Sequence, residues 1–132
     1  MYMIVAGAEP EGRRFVAMAD EHSHEVVLIE PDEEKARQVL KEHNVRVLNG
    51  KIGDDRILEE AGIDQADAVV ATTYDDAKNL MAMLIAKERG VKVRVSLVNH
   101  NSHTSLFESL GVEVINDPAG IIAGHLYEAV AA

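Results

Sequence analysis

Two glycines and a glutamate define the chemistry open to this chain. Gly7 and Gly12 bracket the segment GAEPEG, which follows the apolar run YMIVA, and a second apolar run, VVLIE, closes on Glu30. A glycine-rich turn after a strand lets backbone N–H groups and a helix N-terminus meet a phosphate. An acid about 20 residues further on can accept the hydroxyls of a ribose. The spacing predicts a dinucleotide-binding β-α-β unit. One position departs from G-x-G-x-x-G, because Glu9 stands where the middle glycine lets the backbone approach a pyrophosphate.

Two readings of this loop stay open. In one, Glu9 and Glu11 sit at the positive end of the first helix in place of a phosphate, with Pro10 suited to the first helical position. In the other, Glu9 swings away and Arg13 or Arg14 reaches the phosphates of a ligand. Glu30 is read as the ribose acid, which would also repel a 2′-phosphate; the alternative is an ordinary acid at a strand end before Pro31.

Other chemistries lack their residues. There is no cysteine, which excludes disulfides, thiolate catalysis and cysteine-type zinc sites. His22 and His24 flank Ser23, and His100 and His103 surround a helix start, but neither pair has a carboxylate at H-E-x-x-H spacing. Solvated turn histidines and no metal site are expected. No G-x-S-x-G elbow is present, and Thr72 and Thr73 read as pocket-lining hydroxyls or strand-end caps without a base, so no catalytic residue is expected. The net charge of -10 argues against nucleic acid as a partner.

The elements that must position these residues alternate along the chain. Strands are predicted at Met3–Ala6, Val26–Glu30, Val45–Leu48, Ala68–Thr72, Val93–Val98 and Val112–Ile115. Several are continuous apolar runs, as expected where helices cover both faces of a parallel sheet. Asp32, Asp54 or Asp55, and Asp75 or Asp76 are placed to cap helices, the last of these opening the longest. A short helix starts at Ser102 or Thr104, and a final one follows Pro118. Six strands joined by right-handed helical crossovers predict an α/β, Rossmann-type doubly wound sheet of order 3-2-1-4-5-6. With 132 residues, 47% hydrophobic and 27% charged, one soluble domain spanning 1–132 is expected. No cationic leader precedes the first strand and no apolar stretch approaches the ~20 residues of a membrane span, so the expected location is cytoplasmic.

The segments VAGAEPEGRR, HEVVLIEPDEEKA, VLNG, ILEEAGIDQADAVVATTYDDAKNLMAMLIAKERGV and LFESLGVEVINDP resemble the N-terminal domain of regulators of potassium conductance (RCK), also called KTN or TrkA-N. The stretch from Leu58 to Val91 is the most specific part of the likeness. The resemblance implies a cytoplasmic regulatory subunit or domain of a potassium channel or transporter. It also implies binding of NAD(H) or an adenine nucleotide (ATP, ADP or AMP) and assembly as a homodimer or larger ring beside a membrane partner. Carried over by position, Gly7, Ala8, Glu9, Gly12 and Arg13 belong to the phosphate loop and helix start, and Glu30 is the ribose acid. Gly50 and Lys51 fall in the turn after the third strand, and Thr72, Thr73, Asp75, Asp76 and Asn79 in the turn and helix start after the fourth. Three positions depart: Glu9 replaces glycine, Lys51 stands where aspartate is usual, and Leu97 where arginine is common. Lys51 reads either as a compensating cation at the pocket rim or as a solvated turn lysine.

Leu80, Met81, Met83, Leu84 and Ile85 spread over more than one face of the long helix. A dimer interface there is favoured over core packing alone, and methionines suit adaptable contacts. The expectation is a nucleotide-sensing regulatory domain without catalysis of its own and without the C-terminal domain usual in such regulators. Glu9 predicts weak nucleotide affinity. The alternatives are a structural dimer module with a decayed pocket, or a small NAD-dependent oxidoreductase.

Overall fold

The computed structural model describes residues Met1–Ala132. Its strands are β1 (Tyr2–Ala6), β2 (Glu25–Glu30), β3 (Arg46–Asn49), β4 (Ala68–Ala71), β5 (Val93–Val98) and β6 (Glu113–Asn116). They alternate with helices α1 (Pro10–Glu21), α2 (Glu33–Glu42), α3 (Asp55–Glu60), α4 (Asp76–Glu88), α5 (Thr104–Ser109) and α6 (Pro118–Ala131). All six strands pair in parallel in the order β3-β2-β1-β4-β5-β6, the topology expected from the sequence.

Alternation along the strands sorts side chains onto two faces. Ile4, Val27, Ile29 and Val69 point to one side, where Leu58 of α3, Met83 of α4 and Phe107 of α5 complete the larger core. Val5, Val26 and Leu28 point to the other, against Val16 and Ala19 of α1 and Val39 of α2. Each fully buried large side chain contributes about 1.5–3 kcal/mol, so covering both faces, rather than any single cap, fixes the doubly wound arrangement. Parallel strands leave their carboxyl ends along one edge. The chain winds outward in both directions from β1 and β4, so a crevice opens at that edge between their following loops.

Helix starts follow the aspartates. Asp32 accepts from Lys35 N at 3.1 Å, Asp54 from Arg56 N at 2.9 Å, and Asp75 from Ala77 N at 2.9 Å. Asp54 and Asp75, not their neighbours Asp55 and Asp76, are therefore the caps. The longest helix is α6, with 14 residues against 13 in α4. Arg89, just past α4, reaches Asp55, Glu59 and Asp64, each at 3.0 Å, and ties α4 to the α3 region. Hydrogen bonds to Asp64, Glu59 and Asp55 push the guanidinium pKa still higher. No helix is long and apolar enough to cross a membrane.

Candidate functional site

The first and third glycines of the loop are required by space. Gly7 adopts a φ of +112°, and its N–H donates to Ile29 O at 2.9 Å. A Cβ on Gly12 would lie 2.0 Å from Gly7 O and 2.5 Å from Thr72 Oγ1, so α1 approaches β1 and β4 this closely only without a side chain. The Thr72 hydroxyl sits between the carbonyls of Gly7 (2.9 Å) and Ala6 (3.1 Å) and holds the two loops together. The middle position differs. Glu9 is the α1 N-cap residue in an extended conformation, φ -66° and ψ 168°, which any residue adopts. Its side chain does not cap α1; the carboxylate forms an ion pair with Lys35 in the first turn of α2.

Glu30 ends β2 and is 5% exposed. Its Oε1 accepts from Ala8 N at 2.7 Å and its Oε2 from Asp32 N at 2.7 Å. Two charge-assisted bonds from backbone amides offset the desolvation of the buried acid. Each oxygen keeps a further lone pair, the capacity a ribose hydroxyl needs.

Across the crevice, the turn after β4 is braced from below. Asn79, fully buried, accepts from Thr73 N at 3.1 Å and donates to Thr73 O and Leu97 O, each at 3.0 Å. Asp76 accepts from Asn99 N at 2.8 Å, His100 N at 3.0 Å and His103 Nδ1 at 2.7 Å. Burial alone would raise the Asp76 carboxyl pKa, but the donors from Asn99, His103 and His100 outweigh it and hold the carboxyl below its usual value. Both side chains lock the β4 and β5 turns to each other.

The crevice between these loops has a volume of about 420 Å³. Of the site residues named from sequence, Gly7, Glu9, Glu30, Thr73 and Asp75 line it. Ala8, Gly12 and Thr72 shape the loop behind that wall, and Asp76 and Asn79 brace it. Gly50 N donates to Glu30 O at 3.2 Å, while Lys51 is exposed and lies off the lining. The structure does not bring Arg13 to this crevice. Its guanidinium donates to Gln38 Oε1 at 3.1 Å, and with Arg14 it faces a separate groove beside Glu42 and His43. One turn into α1, Arg13 projects toward α2 rather than toward the strand ends.

Sequence reasoning missed Lys35, Tyr74 and Lys78, all on the lining. A signal existed for Lys35, since only Pro31 and Asp32 separate β2 from α2 and so the first turn of that helix opens on the same edge. The ion pair with Glu9 raises the Lys35 pKa. Tyr74 donates its hydroxyl to Glu11 Oε2 at 3.0 Å, and partial burial together with that carboxylate raises the phenol pKa. The lining thus carries four carboxylates, Glu9, Glu30, Asp32 and Asp75, against two ammonium groups, Lys35 and Lys78. No group of three histidine, aspartate or glutamate residues is arranged to hold a metal ion.

The family described as TrkA-N domain matches residues 3–118. A Trk system potassium uptake protein TrkA homolog from Methanothermobacter thermautotrophicus is 29% identical over 126 residues, 96% of this chain and 58% of that protein. The chain thus spans little more than half the length of this relative. Among solved structures, the TrkA-N domain of the inner membrane protein ybaL from Escherichia coli superposes with a TM-score of 0.83 at 15% identity, covering 96% of this chain and 94% of that one. The GsuK channel bound to NAD superposes with a TM-score of 0.77 at 17% identity, over 86% of this chain and 21% of that one. At these identities the structural likeness shows the fold alone.

Proposed function

The chain belongs to the TrkA-N domain family, and from that premise we propose that it is the nucleotide-sensing regulatory domain of a potassium transport system. Its ligand is NAD(H) or an adenine nucleotide, seated at the carboxyl ends of β1, β2 and β4 with the ribose hydroxyls on Glu30. The observation that carries this reading is the closure of the first loop on Glu30 through Ala8 N, beside an open crevice. The names of the relative and of the NAD-bound channel support it.

In this reading the domain performs no catalysis of its own, and Thr72, Thr73, Asp76 and Asn79 serve shape rather than proton transfer. It works on the cytoplasmic side of a membrane channel or transporter as a homodimer or larger ring. The exposed α4 residues Met81 and Leu84 form part of the dimer contact. A nucleotide gates the partner by binding one arrangement of the assembly better than another. The Glu9–Lys35 pair favours a second reading, a structural dimer module whose loop no longer takes phosphate.

Calorimetric titration of NADH, NAD, ATP, ADP and AMP separates the two. Saturable binding of at least one is expected. Silence from all five at millimolar concentration would leave the structural module.

A further inference from the structure

We propose that the Glu9–Lys35 ion pair makes this crevice discriminate by phosphate count, admitting an adenine nucleoside monophosphate in preference to the triphosphate. The inference rests on the nucleotide reading above and names the ligand class of the same site.

The two halves of the crevice are built differently. On the ribose side, Glu30 is fixed by Ala8 N and Asp32 N, each at 2.7 Å, so a nucleoside meets a preformed acceptor. On the phosphate side, the position that glycine would leave open carries a carboxylate whose side chain is only 25% exposed. Lys35 keeps that carboxylate on the crevice wall instead of letting it turn to solvent. The same contact occupies the ammonium group that would otherwise neutralise a phosphate. Lys78 is then the one lining cation outside this pair, against Glu30, Asp32 and Asp75. Pro10 has no backbone N–H to offer at the first position of α1. Each phosphate added to a ligand therefore brings negative charge into an electronegative, partly desolvated space in which Lys78 is the one cation outside the Glu9–Lys35 pair. A monophosphate can remain at the mouth, whereas a triphosphate must pass over Glu9.

The test is a set of calorimetric titrations of AMP, ATP and NADH, in EDTA so that no divalent cation masks the phosphates. The proteins are the unmodified chain, Glu9→Gln, which keeps the shape and removes the charge, and Glu9→Gly, which removes both. AMP is expected to bind the unmodified chain at least tenfold more tightly than ATP. Glu9→Gln should reduce that ratio at least fivefold through ATP, with AMP affinity moving less than threefold, and Glu9→Gly should reduce it at least as much. ATP binding as tightly as AMP to the unmodified chain, or a ratio unchanged in both variants, overturns the proposal. A gain in Glu9→Gly alone also overturns it, by assigning the effect to bulk rather than charge. Absence of AMP and ATP binding to all three proteins with NADH still bound also overturns the proposal, whereas silence from AMP, ATP and NADH alike instead overturns the nucleotide reading on which it stands.

Discussion

The amide of Ala8 donates to Glu30 Oε1 across 2.7 Å, joining residues separated by 22 positions in the chain. The other oxygen holds Asp32 N, so one carboxylate couples the first loop to the start of α2. Glu30 is at once a wall of the crevice and a brace of the fold, and removing it has two separable effects. Glu30→Ala leaves two amides without their acceptor and should destabilise the protein by about 1–3 kcal/mol, read by urea unfolding. In the unmodified protein NADPH should bind more weakly than NADH, because its 2′-phosphate would lie against this carboxylate; Glu30→Ala should narrow the difference. Tighter binding of NADPH than NADH by the unmodified protein would remove Glu30 from the ribose.

The glycines of the loop make opposite predictions. An alanine at position 12 places its Cβ 2.0 Å from Gly7 O, a backbone atom that cannot move without shifting β1. Gly12→Ala should cost about 3 kcal/mol in urea unfolding, the upper end of the overpacking range. Glu9→Gly changes an N-cap residue in an extended conformation that makes no cap bond, and should shift stability by only a few tenths of a kcal/mol. Equal costs at the two positions would contradict the packing described for α1.

How far the sequence could be read depended on whether a contact is local. Strand order and both faces of the sheet followed from apolar runs such as VVLIE and from the aspartates before each helix, because burial pattern and capping are properties of neighbouring residues. The left-handed Gly7 and the crowded Gly12 were visible as spacing. The partner of Glu9 was not. Composition allowed a self-capping glutamate or one turned away toward solvent, and it takes the approach of α2 to show the carboxylate resting on Lys35. Arg13 failed for the same reason, since its direction is set by the angle at which α1 leaves the loop. Asp76 and Asn79 were named from the motif, but only the paired β4 and β5 turns reveal that their polar atoms are used within the fold. The exposure of Ile121, Ile122, Leu126 and Val130 along α6 likewise could not be foreseen from an apolar helix pattern.

Asp76 supplies a pH signature. Its donors hold its folded pKa below the ordinary aspartate value of 3.8, so it contributes stability that is present above that value and lost as pH falls through the folded pKa. Asp76→Asn should lower stability at pH 7 by about 1–3 kcal/mol, because the amide cannot accept from Asn99, His100 and His103 together. At pH 3 and below the difference should shrink. Urea unfolding of both proteins at the two pH values is the check; a difference that grows on acidification would contradict the sign.

The proposed dimerisation through α4 has a clean probe in Met81, which is 47% exposed, whereas Leu80 packs against the larger core and its substitution would confuse assembly with folding. Sedimentation equilibrium should give a dimer for the unmodified protein, consistent with an interface of at least ~1,200 Å². Met81→Glu should shift it to monomer without a change in far-ultraviolet circular dichroism. A strictly monomeric mass for the unmodified protein at high micromolar concentration would contradict the assignment.

The site itself is tested most directly by amide chemical shifts. Gly7, Ala8, Asp32 and Thr73 each carry a backbone N–H at the carboxyl edge of β1, β2 and β4, while Asp67 and Lys92 precede β4 and β5 at the opposite, amino edge and serve as internal controls. In a nitrogen–proton correlation titration with AMP and with NADH, saturating shifts are expected at these four amides and at Tyr74, with Asp67 and Lys92 unmoved. Shifts that saturate elsewhere while Gly7, Ala8 and Asp32 stay fixed, or no shifts at millimolar ligand, would contradict a nucleotide seat on Glu30.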